Sequence, residues 1–281
     1  MLKTSKAKAD TAADSGETTA PRPMEDGLLL DERRRRICDL LREHGRVTVQ
    51  DLSERFSTSV VTIRLDLCAL EAAGALTRSR GGALERREND DLPIIIKQTL
   101  HHAEKIRIAK AAAALINEGE TIVLDSGTTT AEIAKQIRTL HLKSINVITN
   151  ALNIAMLLSD VPAVRLIMLG GVLRDESNSL SGYMAESAIT NLQADRLYLG
   201  VDGLDPEIGL MTPHLAEAQL NAKMIQISRQ VVAVADSSKL LRRNVSVIAK
   251  VEQLHILITD TAARVDVVEE LRRRGVDVRL V

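Results

Sequence analysis

The 281-residue chain reads as two domains of different class: a small helical head laid out as a winged helix-turn-helix, then a mostly parallel α/β domain, so α+β joined to α/β. Three observations predict this. Arg33 to Leu84 breaks into three short helices with apolar stripes and a hairpin that contains arginine and glycine. From Glu104 onward, short apolar strands alternate with helical segments. The length exceeds one usual domain, and a hydrophobic content of 45% is enough to bury two cores.

Residues 1–30 are rich in Ala, Thr, Ser, Lys and Asp and lack an apolar centre, so a disordered tail is expected rather than a signal peptide. The head is expected over 31–86. Its first helix has Ile37, Leu40 and Leu41 on one face and Arg33, Arg34, Arg35 and Arg36 on the other. In the second, Thr48 caps the first free amides, Asp51 favours the positive end, and Val49, Leu52 and Phe56 share a face. Ser57-Thr58-Ser59 interrupts the pattern, and Val60, Ile63, Leu67 and Leu70 restore an apolar stripe up to Gly74.

Opposite that stripe the third helix presents Ser59, Thr62, Arg64 and Asp66, small hydroxyls with one cation, suited to base edges or phosphates in a DNA major groove. This is the expected recognition helix. Leu76 to Leu84 then alternates apolar and basic residues into Gly81-Gly82, a wing whose Arg78 and Arg80 would touch the phosphate backbone. An ordinary helical hairpin with solvated arginines has the same spacing.

The net charge of −1 does not exclude nucleic acid, because a basic head on a neutral or acidic partner domain averages to such a value. The near absence of aromatics, with Phe56, Tyr183 and Tyr198 the full set, disfavours single-strand binding by base stacking. Cys38 and Cys68 lie beside apolar helix positions and are expected as packed thiols of a reducing cytoplasm. His44, His101, His102, His141, His214 and His255 show no metal-ligand spacing, so no metal is expected. No apolar run is long enough to span a membrane.

Residues 87–103 are expected as a linker with a turn at Pro93 and a short apolar segment, and 104–281 as the second domain. There Ile106 to Ile116 and Ala131 to Leu140 are helical, while Thr121–Leu124, Asn146–Thr149, Val164–Met168, Arg196–Leu199, Val231–Val234 and His255–Ile258 are strands. Continuously apolar strands between helices imply a sheet covered on both faces, and such sheets hold ligands at the carboxyl ends of their strands.

Residues suited to an anion cluster at those ends. Asp125-Ser126-Gly127-Thr128-Thr129-Thr130 joins a strand to a helix and offers amides, hydroxyls and a positive helix end, although a plain capped turn has the same composition. Thr149-Asn150, Gly170-Gly171, Gly200-Val201-Asp202-Gly203 and Asp236-Ser237-Ser238-Lys239 end further strands. Lys239 would pair with a phosphate, and polar side chains would hold sugar hydroxyls.

Taken as motifs, Arg33 with Ile37, Gly45-Arg46-Val47-Thr48-Val49 with Leu52, Thr62-Ile63-Arg64-Leu65-Asp66-Leu67 and Arg78-Ser79-Arg80-Gly81-Gly82-Ala83 resemble the DNA-binding domain of the DeoR family of bacterial transcriptional regulators. The family commonly has a second arginine where this chain has Leu65. The D-S-G-T-T, T-N, G-G-x-L-R, G-x-D-G and D-S-S-K elements resemble the family's sensor domain, which is related to sugar-phosphate isomerases. Glu217 to Asn221 with Met224 is similar to the branch that regulates N-acetylgalactosamine and galactosamine use, although many members carry a basic pair in place of Asn221 and Ala222.

The resemblance implies a repressor of a sugar or amino-sugar operon, binding double-stranded operator DNA as a homodimer or homotetramer. A phosphorylated sugar, with galactosamine 6-phosphate or a close relative as candidate, would release it. It implies no cofactor. The rival expectation is an isomerase- or deaminase-like enzyme with Asp202 as acid/base. Related deaminases have histidine after G-x-D-G where this chain has Leu204, which exchanges no protons. No catalytic residue is therefore expected.

Overall fold

The computed structural model describes residues 30–72, 75–79, 81–85 and 94–281, so the 1–29 part of the expected tail and Arg80 of the wing lie outside the described residues. Two compact units result, one ending at the wing and one holding the α/β domain.

The head contains helices α1 (Leu30–His44), α2 (Val49–Arg55) and α3 (Val60–Ala72) with strands β1 (Arg46–Thr48), β2 (Leu76–Ser79) and β3 (Gly82–Glu85). Thr48 Oγ1 accepts from the Asp51 amide at 3.1 Å and starts α2 as expected. Ile37, Leu40, Leu41, Val49, Leu52, Phe56, Ile63, Leu67 and Leu70 are buried together with Leu76 and Ala83. Val60 differs from its expected place in that stripe: it is the first residue of α3 and is exposed.

The wing is a three-stranded sheet in the order β1-β3-β2, with Val47 opposite Ala83. Gly82 is required there, since a Cβ would stand 2.0 Å from the Val47 carbonyl oxygen. β1 was not expected, because three residues with one buried side chain give too little alternation to read as a strand.

The second unit opens with α4 (Ile94–Thr99) and α5 (His102–Ala113), so the described part of the segment expected as linker is helical. Ile94 is buried, and its amide donates to the Glu176 carbonyl at 2.7 Å. The alternation continues as β4 (Thr121–Leu124), α6 (Thr128–Ile137), β5 (Ile145–Thr149), α7 (Leu152–Leu158) and β6 (Val164–Met168). After a hairpin of β7 (Val172–Arg174) and β8 (Ser179–Ser181) come α8 (Tyr183–Ile189), β9 (Ala194–Gly200), β10 (Gly203–Asp205), β11 (Gly209–Thr212) and α9 (Leu215–Gln226). β12 (Ser228–Val234), β13 (Ser246–Ala249), β14 (Ile256–Thr259), α10 (Val265–Arg273) and β15 (Asp277–Leu280) complete the chain.

Seven parallel strands form one sheet in the order β15-β14-β12-β9-β4-β5-β6. Successive residues of a strand serve opposite cores: Ile122 and Leu124 of β4 pack with Ile108, Ile133 and Ile154 of α5, α6 and α7. Val123 packs on the other face with Ile189 of α8, Leu220 of α9 and Leu271 of α10. Both faces are thus covered, which is why the strands read as continuous apolar runs. The chain runs outward from β4 through β5 to β6, then returns to lay β9 on the other side of β4. The topological switch point lies between β4 and β9, the place at which open α/β sheets form a ligand crevice.

Candidate functional site: a recognition helix and a sheet-edge crevice

On the head, the outward stripe of α3 is Val61, Arg64, Leu65 and Cys68, all exposed and spaced i, i+3, i+4 and i+7. Ser59 and Thr62, expected to face DNA directly, use their hydroxyls locally: Ser59 Oγ accepts from the Thr62 amide at 3.0 Å and bonds Thr62 Oγ1 at 2.9 Å. Together they cap α3. Asp66 is not presented outward. It is buried and receives Arg33 Nε at 2.6 Å and Arg34 Nε at 3.0 Å, so two of the α1 arginines lock α1 to α3. Asp66 faces inward because it lies about 100° per residue round the helix from Arg64, close to the side occupied by Leu70. Arg78 is half-buried and donates Nη1 to Cys68 Sγ at 2.9 Å. Cys68 is consequently an exposed thiol against the wing rather than a packed one, and Cys38 is half-buried.

At the carboxyl edge of the large sheet, Asp125 and Ser126 leave β4 and Gly127 begins α6 without a side-chain cap, so the helix presents its positive end there. Thr128 and Thr129 follow in its first turn, both buried. Asp125 is buried, its Oδ1 accepting the Ser126 amide at 2.6 Å. Burial, reinforced by the neighbouring Glu217 carboxylate, pushes the Asp125 carboxyl well above its ordinary range. Across the switch point, Asp202 leaves β9 and accepts Lys97 Nζ of α4 at 3.1 Å, with Lys239 Nζ 3.7 Å from the same oxygen. Burial lowers the Lys239 pKa although Asp202 opposes that shift.

Glu217 on α9 completes the cluster. Its Oε1 accepts Ser126 Oγ at 3.0 Å, its Oε2 lies 3.5 Å from Arg174 Nη1, and Thr212 Oγ1 stands 3.4 Å from Asp202 Oδ2. Burial raises the Glu217 pKa, with Asp202 adding to the effect. Behind α4, buried Lys105 donates to the carbonyls of Leu100, at 2.6 Å, and Lys97, and so fixes the end of the short helix. Desolvation brings the Lys105 pKa down to about 8.

The structure therefore brings together Asp125, Ser126, Gly127, Thr128, Thr129, Asp202 and Lys239. It does not bring all the expected residues there in the same way. Thr149 is wholly buried with Oγ1 accepting the Ala151 amide at 3.1 Å, a turn-forming role. Asn150 donates Nδ2 to the Leu180 carbonyl at 3.0 Å and ties the β7–β8 hairpin down, leaving its buried Oδ1 without a hydrogen bond among the described residues. Gly170 and Gly171 start that hairpin; Gly171, with φ +131, must be glycine because a Cβ would meet the Ser181 carbonyl oxygen at 2.5 Å. The hairpin carries Arg174 to Glu217.

Lys97, Lys105, Thr212, Arg174 and Glu217 were not expected in the site. Two of them had a signal of another kind, Arg174 as the last residue of the G-G-x-L-R element and Glu217 as the first of the Glu217–Asn221 segment. Leu204, where related deaminases have histidine, is wholly buried in β10, and its carbonyl accepts the Leu241 amide at 2.7 Å. No cluster of three or more His, Cys, Asp or Glu side chains able to hold a metal occurs among the described residues. No described helix is long and apolar enough to cross a membrane.

Comparison with known proteins agrees with this division. Residues 33–87 match the DeoR-like helix-turn-helix domain and residues 100–261 the DeoR C-terminal sensor domain. A protein of Escherichia coli O157:H7 named for repression of the aga operon is 40% identical, over 89% of this chain and 93% of its own. The transcriptional repressor AccR of Agrobacterium fabrum is 33% identical over 87% and 96%, and the repressor GlcR of Bacillus subtilis is 32% identical over 88% and 95%. Among solved structures, a D-ribose-5-phosphate isomerase in complex with phospho-erythronic acid overlaps 50% of this chain and 54% of its own at a TM-score of 0.37 and 17% identity. With both domains matched in order and relatives aligned along nearly their whole length, the chain belongs to the DeoR family of DNA-binding transcriptional regulators.

Proposed function

We propose that this regulator represses a sugar or amino-sugar utilisation operon from the cytoplasm, as a homodimer or homotetramer, and that a phosphorylated sugar in the β4–β9 crevice releases it from operator DNA. Arg64 is the principal base-reading cation, and the hydroxyls of Ser59 and Thr62 hold the start of α3 against the duplex. Arg78 and Arg80 contact phosphates, Arg78 after leaving the Cys68 thiol.

One observation carries the effector reading: two lysines from separate elements, Lys97 and Lys239, converge on one Asp202 oxygen beside the open end of α6. A phosphate entering there has stronger acceptors to offer those ammonium groups than a single carboxylate. Ser126 and the amides of Gly127, Thr128 and Thr129 complete an anion cradle. Asp125, Glu217 and the open Oδ1 of Asn150 accept sugar hydroxyls or an amino group, with Gly170 and Gly171 shaping the rim.

Lys97 gives the site a route to the head. It sits on α4, the first described helix after the wing, and α4 is held by the Ile94–Glu176 bond and the Lys105 cap. Drawing Lys97 off Asp202 favours a different seating of α4, and a coupling of about 1–3 kcal/mol between effector and operator is the usual size for such devices.

The test is a thermal-shift series on the full chain with galactosamine 6-phosphate, N-acetylgalactosamine 6-phosphate and other sugar phosphates against their unphosphorylated forms. A phosphorylated sugar raises the melting temperature and releases bound operator DNA. Stabilisation by unphosphorylated sugars to the same degree would reject the phosphate cradle.

A further inference from the structure

Beyond Val60 at its first position, α3 carries two large apolar side chains that stand well out into solvent, Val61 at 64% and Leu65 at 63% exposure. They are one helical turn apart, and Arg64 lies between them on the same stripe. The buried side of the helix is already complete with Ile63, Leu67 and Leu70, so Val61 and Leu65 add nothing to the core of the head. Neither can bond a phosphate or a base-edge donor or acceptor. The apolar group that a DNA major groove does offer is the C5-methyl of thymine.

We propose that Val61 and Leu65 form a thymine-methyl reading surface on either side of the Arg64 contact, so that an operator half-site carries thymine beside the base pair engaged by Arg64. A second copy of this stripe is the less suitable cover, because self-pairing would bring two Arg64 guanidinium groups together. Leu65 is then a specificity-determining residue: it contributes little to the salt-dependent phosphate term and much to the choice of base. The inference rests on α3 being the helix that enters the groove.

The experiment begins with selection of double-stranded DNA from a randomised pool by the full chain. Each thymine of the selected half-site is then replaced singly by uracil, which removes only the methyl group. Wild-type protein is expected to bind at least one uracil-substituted site about fourfold more weakly, the size of losing one buried methyl contact. The Val61→Ala, Leu65→Ala double variant, whose alanines suit an exposed helix, should bind thymine and uracil sites equally. Indifference of the wild type to every methyl group, or full discrimination retained by the double variant, overturns the proposal. If selection enriches a half-site that Arg64→Ala still binds with wild-type affinity, α3 itself is the wrong helix, a failure distinct from that of the methyl contact.

Discussion

The outward face of α3 sets one cation, Arg64, between apolar side chains, whereas the crevice of the α/β domain sets Lys97, Lys239 and Arg174 against Asp125, Asp202 and Glu217. Both meet a phosphate-bearing ligand in the functional reading, but they are built to opposite rules. Val61, Arg64 and Leu65 are exposed and act singly, so each substitution there should register as its own contact. The crevice groups are largely buried and paired, so removing one changes the protonation and position of the others. A surface reader is thus additive and stable to substitution, and a buried sensor is coupled.

The largest effect expected on this contrast is that of Arg64→Ala. Losing a cation that engages a base edge should lower operator affinity roughly 10- to 100-fold, as measured by gel shift or fluorescence anisotropy. The melting temperature should not move, because Arg64 is exposed and the buried ion pair of the head belongs to Asp66 with Arg33 and Arg34. Unchanged affinity would assign the reading to another element; a large fall in melting temperature would end the distinction between a surface reader and a structural core.

Lys97→Met comes next. Asp202 keeps Lys239 at 3.7 Å, so the variant leaves no isolated charge, and operator binding without effector should persist. The effector concentration needed for release should rise about tenfold, the size of one lost hydrogen bond between charged groups. If release is unaltered, Lys97 is a structural ion pair and the route through α4 falls.

The two regions also differ in how far their sequence discloses them. α2 and α3 carry their signals locally: Thr48 as a cap, Val49, Leu52 and Phe56 on one face, Ile63, Leu67 and Leu70 on another. Six of the seven parallel strands were legible for a similar reason, since burial on both faces leaves continuous runs such as Val231–Val234, whereas the edge strand β15, with its charged Asp277 and Arg279, was not expected. β10, β11 and β13 were not legible, because each is only three or four residues long and β13 pairs with the distant β11. The crevice was half legible. Strand-end loops such as Asp125-Ser126-Gly127 stand out by composition, but Lys97, Arg174 and Glu217 come from a short helix, a hairpin and a later helix that only the folded chain brings to one place. Asp66 shows the reverse error. Its charge suggested an outward face, and its two arginine partners, thirty-two and thirty-three residues away, gave no local sign.

The smallest predicted effect probes the coupling inside the crevice. Glu217 has a folded-state pKa raised by burial and by Asp202, so the folded chain holds that proton more tightly than the unfolded chain does. A group of this kind favours folding at acid pH, and the contribution is lost as pH rises from the ordinary carboxyl value near 4 through the raised one. Asp125 acts in the same sense. Glu217→Gln keeps an oxygen to accept Ser126 Oγ and removes the charge, so the decline in stability between about pH 4 and neutrality should become shallower while Asp125 preserves part of it. Urea unfolding of the full chain across that range measures the slope. An identical slope in the variant would mean that Arg174, 3.5 Å from the Glu217 carboxylate, offsets burial and holds the group ionised throughout. The crevice would then resemble the head, its charges settled in pairs and not shared across the cluster.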